Sequence, residues 1–355
     1  MSRALSAAIA TEEARGRQDA HNYARGTLTL RTSDMGSFST GARWTSLMLR
    51  RLLLKVRVPA QWLVHLRSMA VRRGRADAFD RFVQRYAYWR GVRRGLGDRR
   101  SWRGLVHGPI VLMYHAVGGP AEPPSCYVVS RSRFAWQLTW LRLARYRIIA
   151  LGDLVACLRE NRIAPARAVV LTFDDGFLDN HVEALPLLVR ARARATVFMV
   201  SDAIGSTAWW PEDRALARRK LMSAAHLADL QAAGIEIGAH TRTHPPLTSL
   251  DPERRGAEIA GSRAQLAERL GSPIRTFAYP FGDCSAAVRE AVERAGFDAA
   301  CCSRAGFADP AAPLHELPRV EIRGTDSLFH FALILRRGHR KPRPATTKVL
   351  AEAAV

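Results

Sequence analysis

Acidic residues are scarce beside basic ones: 32 Asp and Glu face 54 Lys and Arg, for a net charge of +22. Cysteine is scarcer. Cys126, Cys157, Cys284, Cys301 and Cys302 make five, an odd number with no C-x-x-C pair. That implies neither a disulfide framework nor a thiolate metal site, and fits a reducing compartment. No run of about 18 apolar residues occurs, so no transmembrane helix is expected. The stretch MSRALSAAIATEEARG has only a short apolar patch before its acids, a poor secretory signal. No repeat of 20 to 50 residues is visible. The location expected from these absences is cytoplasmic, at most peripheral at the inner membrane.

What is present is unevenly spread. Twenty-two of the basic residues but only seven of the acidic ones precede residue 108, a net of +15, which leaves +7 for the rest. Residues 1–43 are polar, rich in Ser, Thr and Gly and without periodicity, so they are expected to be disordered. Residues 44–107 form a basic helical extension, with apolar residues at three- and four-residue spacing between arginines. Pro59 should interrupt its first helix. Trp62, Phe82, Tyr86, Tyr88 and Trp89 supply aromatic contact. Such helices suit an anionic membrane or a partner protein, and packing against the following domain is the alternative. No specific nucleic-acid binding is expected. A basic tail, 336–355, closes the chain.

From residue 108 to 335 the texture alternates between strand and helix. PIVLMYH, RAVVLTF, ATVFMV, IEIGAH, RTFAYP and DAACC read as strands. Between them lie helical patterns, among them DPERRGAEIAGSRAQLAERLG, with Asp251 as cap, Pro252 in the first turn and Gly271 past the end. Six or more β-then-α units specify an α/β fold with a mainly parallel sheet, such as a barrel.

Sites in such folds lie at the carboxyl ends of the strands. Four strands deliver polar or turn-forming groups there. VVLTF ends in Asp174-Asp175-Gly176, IEIGA in His240-Thr241-Arg242-Thr243-His244, TFA in Tyr279-Pro280-Phe281-Gly282, and IVLMY in His115. Two histidines and a carboxylate are a common set for a divalent metal with open positions. Adjacent carboxylates repel unless a positive charge sits between them. Gly176 permits a turn that leaves one carboxylate on a metal and the other free as a general base.

These residues resemble the polysaccharide deacetylases, the NodB-homology domains of carbohydrate esterase family 4, over about Pro109 to Leu335. TFDDG is similar to the family's first motif, HTRTHPPL to its second and FAYPFG to its third, in the FAYPxG subgroup. The resemblance implies a distorted (β/α) barrel that hydrolyses acetyl groups on an acetylated sugar polymer. It makes Asp174 the general base and Asp175, His240 and His244 the ligands of a divalent metal, usually Zn²⁺. The backbone N–H of Phe281, in the Tyr279-Pro280-Phe281-Gly282 turn, would help hold the oxyanion.

Two departures stand out. Many members have an arginine two residues before the proline of the third motif, where this chain has Ala278. Arg319, in LPRVEI, is assigned to that role, the alternative being a surface pair with Glu321. The late L-x-H motif that carries the family's general acid is not evident, and His115 takes that assignment ahead of His315 and His330. The arm also looks like tails of deacetylases associated with glycan-synthesis proteins.

Two rival functions use the same residues. A non-haem Fe(II) oxygenase also needs two histidines and a carboxylate, though usually as H-x-D in a β-rich barrel. A non-catalytic glycan-binding barrel would have no need of the second carboxylate.

Overall fold

The computed structural model describes residues 3–31, 33–38, 44–54, 60–119, 122, 125–210, 213 and 216–340. Pro59 and the tail beyond residue 340 lie outside them.

Among the described residues five α-helices come first: α1 (Arg3–Ala24), α2 (Trp44–Leu53), α3 (Ala60–Arg72), α4 (Ala76–Leu96) and α5 (Arg99–Val106). Helix α1 corrects the expectation of disorder before residue 43. It lacks a strong apolar stripe, and its support comes from α4. The two helices touch through glycine: a Cβ on Gly16 would stand 2.1 Å from Tyr88 O, and one on Gly91 2.1 Å from Glu13 O. Glu13 is buried and paired with Arg90 and Arg94. Tyr88 donates to Asp19 Oδ2 at 2.7 Å. Glu13 thus neutralises arginines some 80 residues later. The aromatic set divides accordingly. Tyr86, Tyr88 and Trp89 are buried with Leu30, Met35 and Phe38, whereas Trp62 is 67% exposed.

The barrel strands follow: β1 (Ile110–Tyr114), β2 (Ala116–Gly118), β3 (Val128–Ser130), β4 (Arg147–Ile148), β5 (Ala168–Phe173), β6 (Thr196–Met199), β7 (Glu236–Ala239), β8 (Thr276–Ala278), β9 (Ala299–Cys301) and β10 (Arg319–Glu321). All pairings of the main sheet are parallel, in the order β10-β1-β5-β6-β7-β8-β9, with β4 beside β5. Strands β2 and β3 form a separate pair. A parallel bridge from Cys301 to Leu317, just before β10, nearly closes the ring.

The helices between strands are α6 (Arg131–Leu143), α7 (Leu151–Arg159), α8 (Leu185–Ala191), α9 (Ala224–Ala232), α10 (Pro252–Leu270) and α11 (Ala286–Arg294), and α12 (Leu328–Arg337) follows β10. Helix α10 ends as its sequence dictates: Asp251 accepts from Arg254 N at 2.9 Å, and Gly271 turns left-handed. Strands buried on both faces explain the unbroken apolar runs. In β5, Val169, Leu171 and Phe173 join the core that includes Phe134 and Leu138 of α6. Val170 lies in the other cluster, with Val111, Phe198, Ala278 and Cys301. By the two-residue period, Thr172 and then Asp174 continue the Val170 face.

Candidate active site

Asp174 is the first residue past β5, so the strand delivers its carboxylate to the rim. The next residue breaks the extended path: Asp175 has φ 73° and Gly176 φ 80°. A Cβ on Gly176 would come within 2.1 Å of Met199 Sδ, so the turn requires glycine on conformational and steric grounds. Both carboxylates are buried.

They have different partners. Arg319 Nη1 donates to Asp174 Oδ1 at 2.6 Å and Nη2 to Oδ2 at 2.8 Å, a bidentate grip. The guanidinium is itself fully buried, and it also donates to Thr172 Oγ1 and Cys302 O, each at 3.2 Å. Glu321, the other partner considered for Arg319, bonds Arg323 instead. Burial pushes the Asp174 carboxyl up, but Arg319 and the neighbouring imidazoles outweigh this and hold it down to about 2.

Asp175 faces the histidines. Its Oδ1 lies 3.4 Å from His244 Nε2 and 3.7 Å from His240 Nε2. One ligand atom from each of the three residues lies within 4.8 Å of the others. Burial, then the charge of Asp174, pushes the Asp175 carboxyl up to about 8. A divalent cation would relieve that penalty. The imidazoles suit the same ion. Burial pushes His240 down to about 4 and His244 well below its usual value, so both are neutral and keep a lone pair. His240 Nδ1 donates to Ala278 O at 2.7 Å, which leaves Nε2 free to ligate. The donor set of two imidazoles and one carboxylate therefore fits a catalytic zinc.

The histidine loop is strained and tethered. Thr241 and His244 have φ of 67° and 66°, and His244 N donates to Thr241 Oγ1 at 2.9 Å. Glu258, on α10, accepts from Arg242 N at 2.8 Å, Thr243 N at 2.9 Å and Thr243 Oγ1 at 2.7 Å. Trp210 stacks on the His244 ring with centroids 5.0 Å apart, and Phe281 meets it edge-on at 4.8 Å. Glu258 and Trp210 belong to no motif, and the only signal of either is its place in the fold.

The remaining residues lie as follows. Phe281 has φ 57° and is 63% exposed, and Gly282 has φ 69° with its missing Cβ only 1.8 Å from Ser303 Oγ. The turn after β8 thus sets Phe281 beside His244, with Pro280 and Tyr279 buried behind it. His115 follows β1. It is partly buried, packs on Tyr127 at 5.1 Å, and its Nδ1 has no hydrogen-bond partner among the described residues. Burial lowers its pKa, against the opposing pull of Asp174. The other two histidines considered as general acid are placed elsewhere. His315 Nε2 bonds Phe297 O at 2.8 Å, and His330 is exposed on the first turn of α12.

Comparison with known proteins agrees with this arrangement. The polysaccharide deacetylase family model matches residues 161–300, which hold Asp174, Asp175, His240, His244 and the Tyr279–Gly282 turn, while His115 and Arg319 fall outside. YxkH of Bacillus subtilis (strain 168), a provisionally named polysaccharide deacetylase, is 24% identical over 60% of this chain and 70% of its own. The poly-beta-1,6-N-acetyl-D-glucosamine N-deacetylase of Escherichia coli (strain K12) is 24% identical over 64% of this chain, which spans only 38% of that longer protein. Among solved structures, IcaB from Ammonifex degensii superposes with a TM-score of 0.55 at 24% identity, over 65% of this chain and 97% of that one, a likeness of fold. Family match, barrel and strand-end residues agree: residues 161–300 match the polysaccharide deacetylase family model, on a barrel like that of its solved relatives.

Proposed function

We propose that the chain hydrolyses the N-acetyl group of a hexosamine in a polysaccharide or glycan precursor, with zinc held by Asp175, His240 and His244. The observation that supports this most is the division of labour between adjacent carboxylates: Asp174 is gripped by Arg319, while Asp175 faces two neutral imidazoles. A bound divalent ion supplies positive charge that polarises the acetyl carbonyl and acidifies water. Asp174, kept ionised by Arg319, accepts a proton as water's oxygen bonds to the carbonyl carbon. The C–N bond then breaks, and His115 is the candidate to return a proton to the departing amine. Acetate and a free amine are the products. The backbone N–H of Phe281, on an exposed turn beside His244, is the candidate donor to the oxyanion.

The rival readings draw less support. A parallel α/β barrel is not the β-rich frame of two-histidine oxygenases, and a binding-only barrel gives no reason for a clamped Asp174. An acetylated glycan is the expected partner. Contact of the extension with an anionic membrane or a glycan-synthesis protein belongs to the same proposal, and exposed Trp62, Leu66 and Met69 on basic α3 support it. Among the described residues, no helix is long and apolar enough to cross a membrane.

The test is acetate release from a panel of acetylated oligosaccharides, before and after chelation and with zinc restored. Release that survives complete metal removal, or its absence across N-acetylated hexosamine oligomers with zinc bound, rejects the proposal.

A further inference from the structure

A second concave site lies at the opposite pole of the barrel. A cavity of about 760 Å³, open to solvent on one side, lies where the helical extension meets the barrel. It is lined by Ile110, which opens β1, and Arg167, which precedes β5. The catalytic groups sit past the other ends of these strands, roughly 17–20 Å away for strands of this length.

Its lining is basic and apolar together. Six arginines contribute: Arg51, Arg93, Arg99, Arg103, Arg167 and Arg336. Among the described lining residues Asp98 is the single carboxylate, and it is engaged in capping α5 through Arg100 N and Ser101 N, both at 2.8 Å, while buried Asp309 stands against Gly108 of the wall. Elsewhere in the extension arginines find acids, as Arg90 and Arg94 find Glu13 and Arg67 finds Asp80. None of the six cavity arginines has an ion pair among the described residues. Arg93 and Arg167 spend donors on the backbone carbonyls of Leu54 and Ala144.

Arg51 is the informative one. Its Nε donates to Val106 O at 2.9 Å and its Nη1 to Arg336 O at 3.3 Å, but its Nη2 is buried without a partner among the described residues. A guanidinium withdrawn from water without a counter-charge is costly, and an anion would offset that cost. Burial already pulls its pKa down to about 10, against the opposing charge of buried Asp309. Around the charges stand Trp102, Trp140, Phe307 and Leu335. The volume far exceeds a phosphate ion and matches pockets that hold drug-sized ligands.

We infer that this cavity binds a phosphate group carried on an apolar chain, with guanidiniums on the phosphate and the aromatic wall against the chain. The ligand class is an anionic phospholipid or a similar lipid phosphate. Such a site would dock the barrel onto a lipid while its catalytic rim stays free. It is separate from the deacetylase site and does not depend on that assignment.

The experiment is calorimetric titration of the full chain with dihexanoyl phosphatidic acid kept monomeric. Inorganic phosphate and dihexanoyl phosphatidylcholine are the comparison ligands. We expect saturable binding of the phosphatidic acid, at least tenfold weaker binding of the other two, and weakening by salt. Arg51→Met should lose at least tenfold in affinity while acetate release from a soluble oligosaccharide stays within twofold. Should Arg51→Met not fold, the exposed pair Arg99→Gln with Arg103→Gln reads the same site and should show the same loss. The inference is overturned if the phosphatidic acid does not saturate, if inorganic phosphate binds as tightly, or if folded variants keep wild-type affinity. Because the titration reads lipid binding, its failure would leave the hydrolase proposal standing, and the reverse holds.

Discussion

Arg319 and Asp174 stand two strands apart in the sheet, yet their side chains meet through two hydrogen bonds of 2.6 and 2.8 Å. Removing the guanidinium leaves a buried carboxylate without its counter-charge. Arg319→Met should therefore destabilise the fold by about 3–5 kcal/mol, measured by denaturant titration. The sign of the pH effect follows from the same pair. Asp174 titrates in the fold at about 2, below its ordinary 3.8, so its contribution to stability is complete above 3.8 and lost as pH falls toward 2. Without Arg319 that pKa rises, and the acidic limb of the pH–rate profile should move upward. An unchanged acidic limb in a folded variant would remove Arg319 from this role.

Asp174→Asn is nearly isosteric and leaves the three metal-site residues in place. It should keep metal content, measured by mass spectrometry of the dialysed protein, and lose roughly two to four orders of magnitude in turnover. If this variant loses metal while Asp175→Asn keeps it, the two roles are exchanged.

His240→Ala deletes one of three donors. Metal should fall below stoichiometric levels and acetate release should vanish together. Full turnover with bound zinc would dismiss the site.

Glu258 touches none of the proposed reacting groups, yet it holds two backbone N–H groups of the histidine loop. Glu258→Ala should weaken zinc affinity by about 10- to 100-fold, as loss of an outer partner does, with far-UV circular dichroism unchanged. Wild-type affinity in a competition with a chromogenic chelator would show that Thr241 and His244 hold their turn unaided.

Gly91→Val tests the contact between α1 and α4. Its Cβ would meet Glu13 O, so overpacking should cost about 1–3 kcal/mol and expose α1 to limited proteolysis. Resistance equal to wild type would mean that the helices can separate without consequence.

These predictions differ in how far each residue could be read from the chain alone. The carboxylates, the histidines and the third-motif turn are legible because each is a short string at the end of an apolar strand. There, strand period and a glycine decide where side chains point. The barrel is legible for the same reason, since its strands are continuous apolar runs. Arg319 is legible only against the family resemblance, through Ala278 at a position where that motif pattern has arginine. Glu258 leaves no trace, because its partners are backbone groups. Helix α1 reads as disorder in the sequence because its stability comes from a glycine contact and ion pairs with a helix about 70 residues on, and a window along the sequence does not see these.

The covering of the barrel by the extension has a practical consequence for anyone trimming this chain. Ile163 and Phe307, from the barrel segment, pack against the cluster that holds Trp89 and Leu105. Cutting at Pro109 would strip Ile163 and Phe307 of that cover. The resulting minimal barrel should be sticky at high concentration, forming aggregates in light scattering even with its metal-binding residues intact.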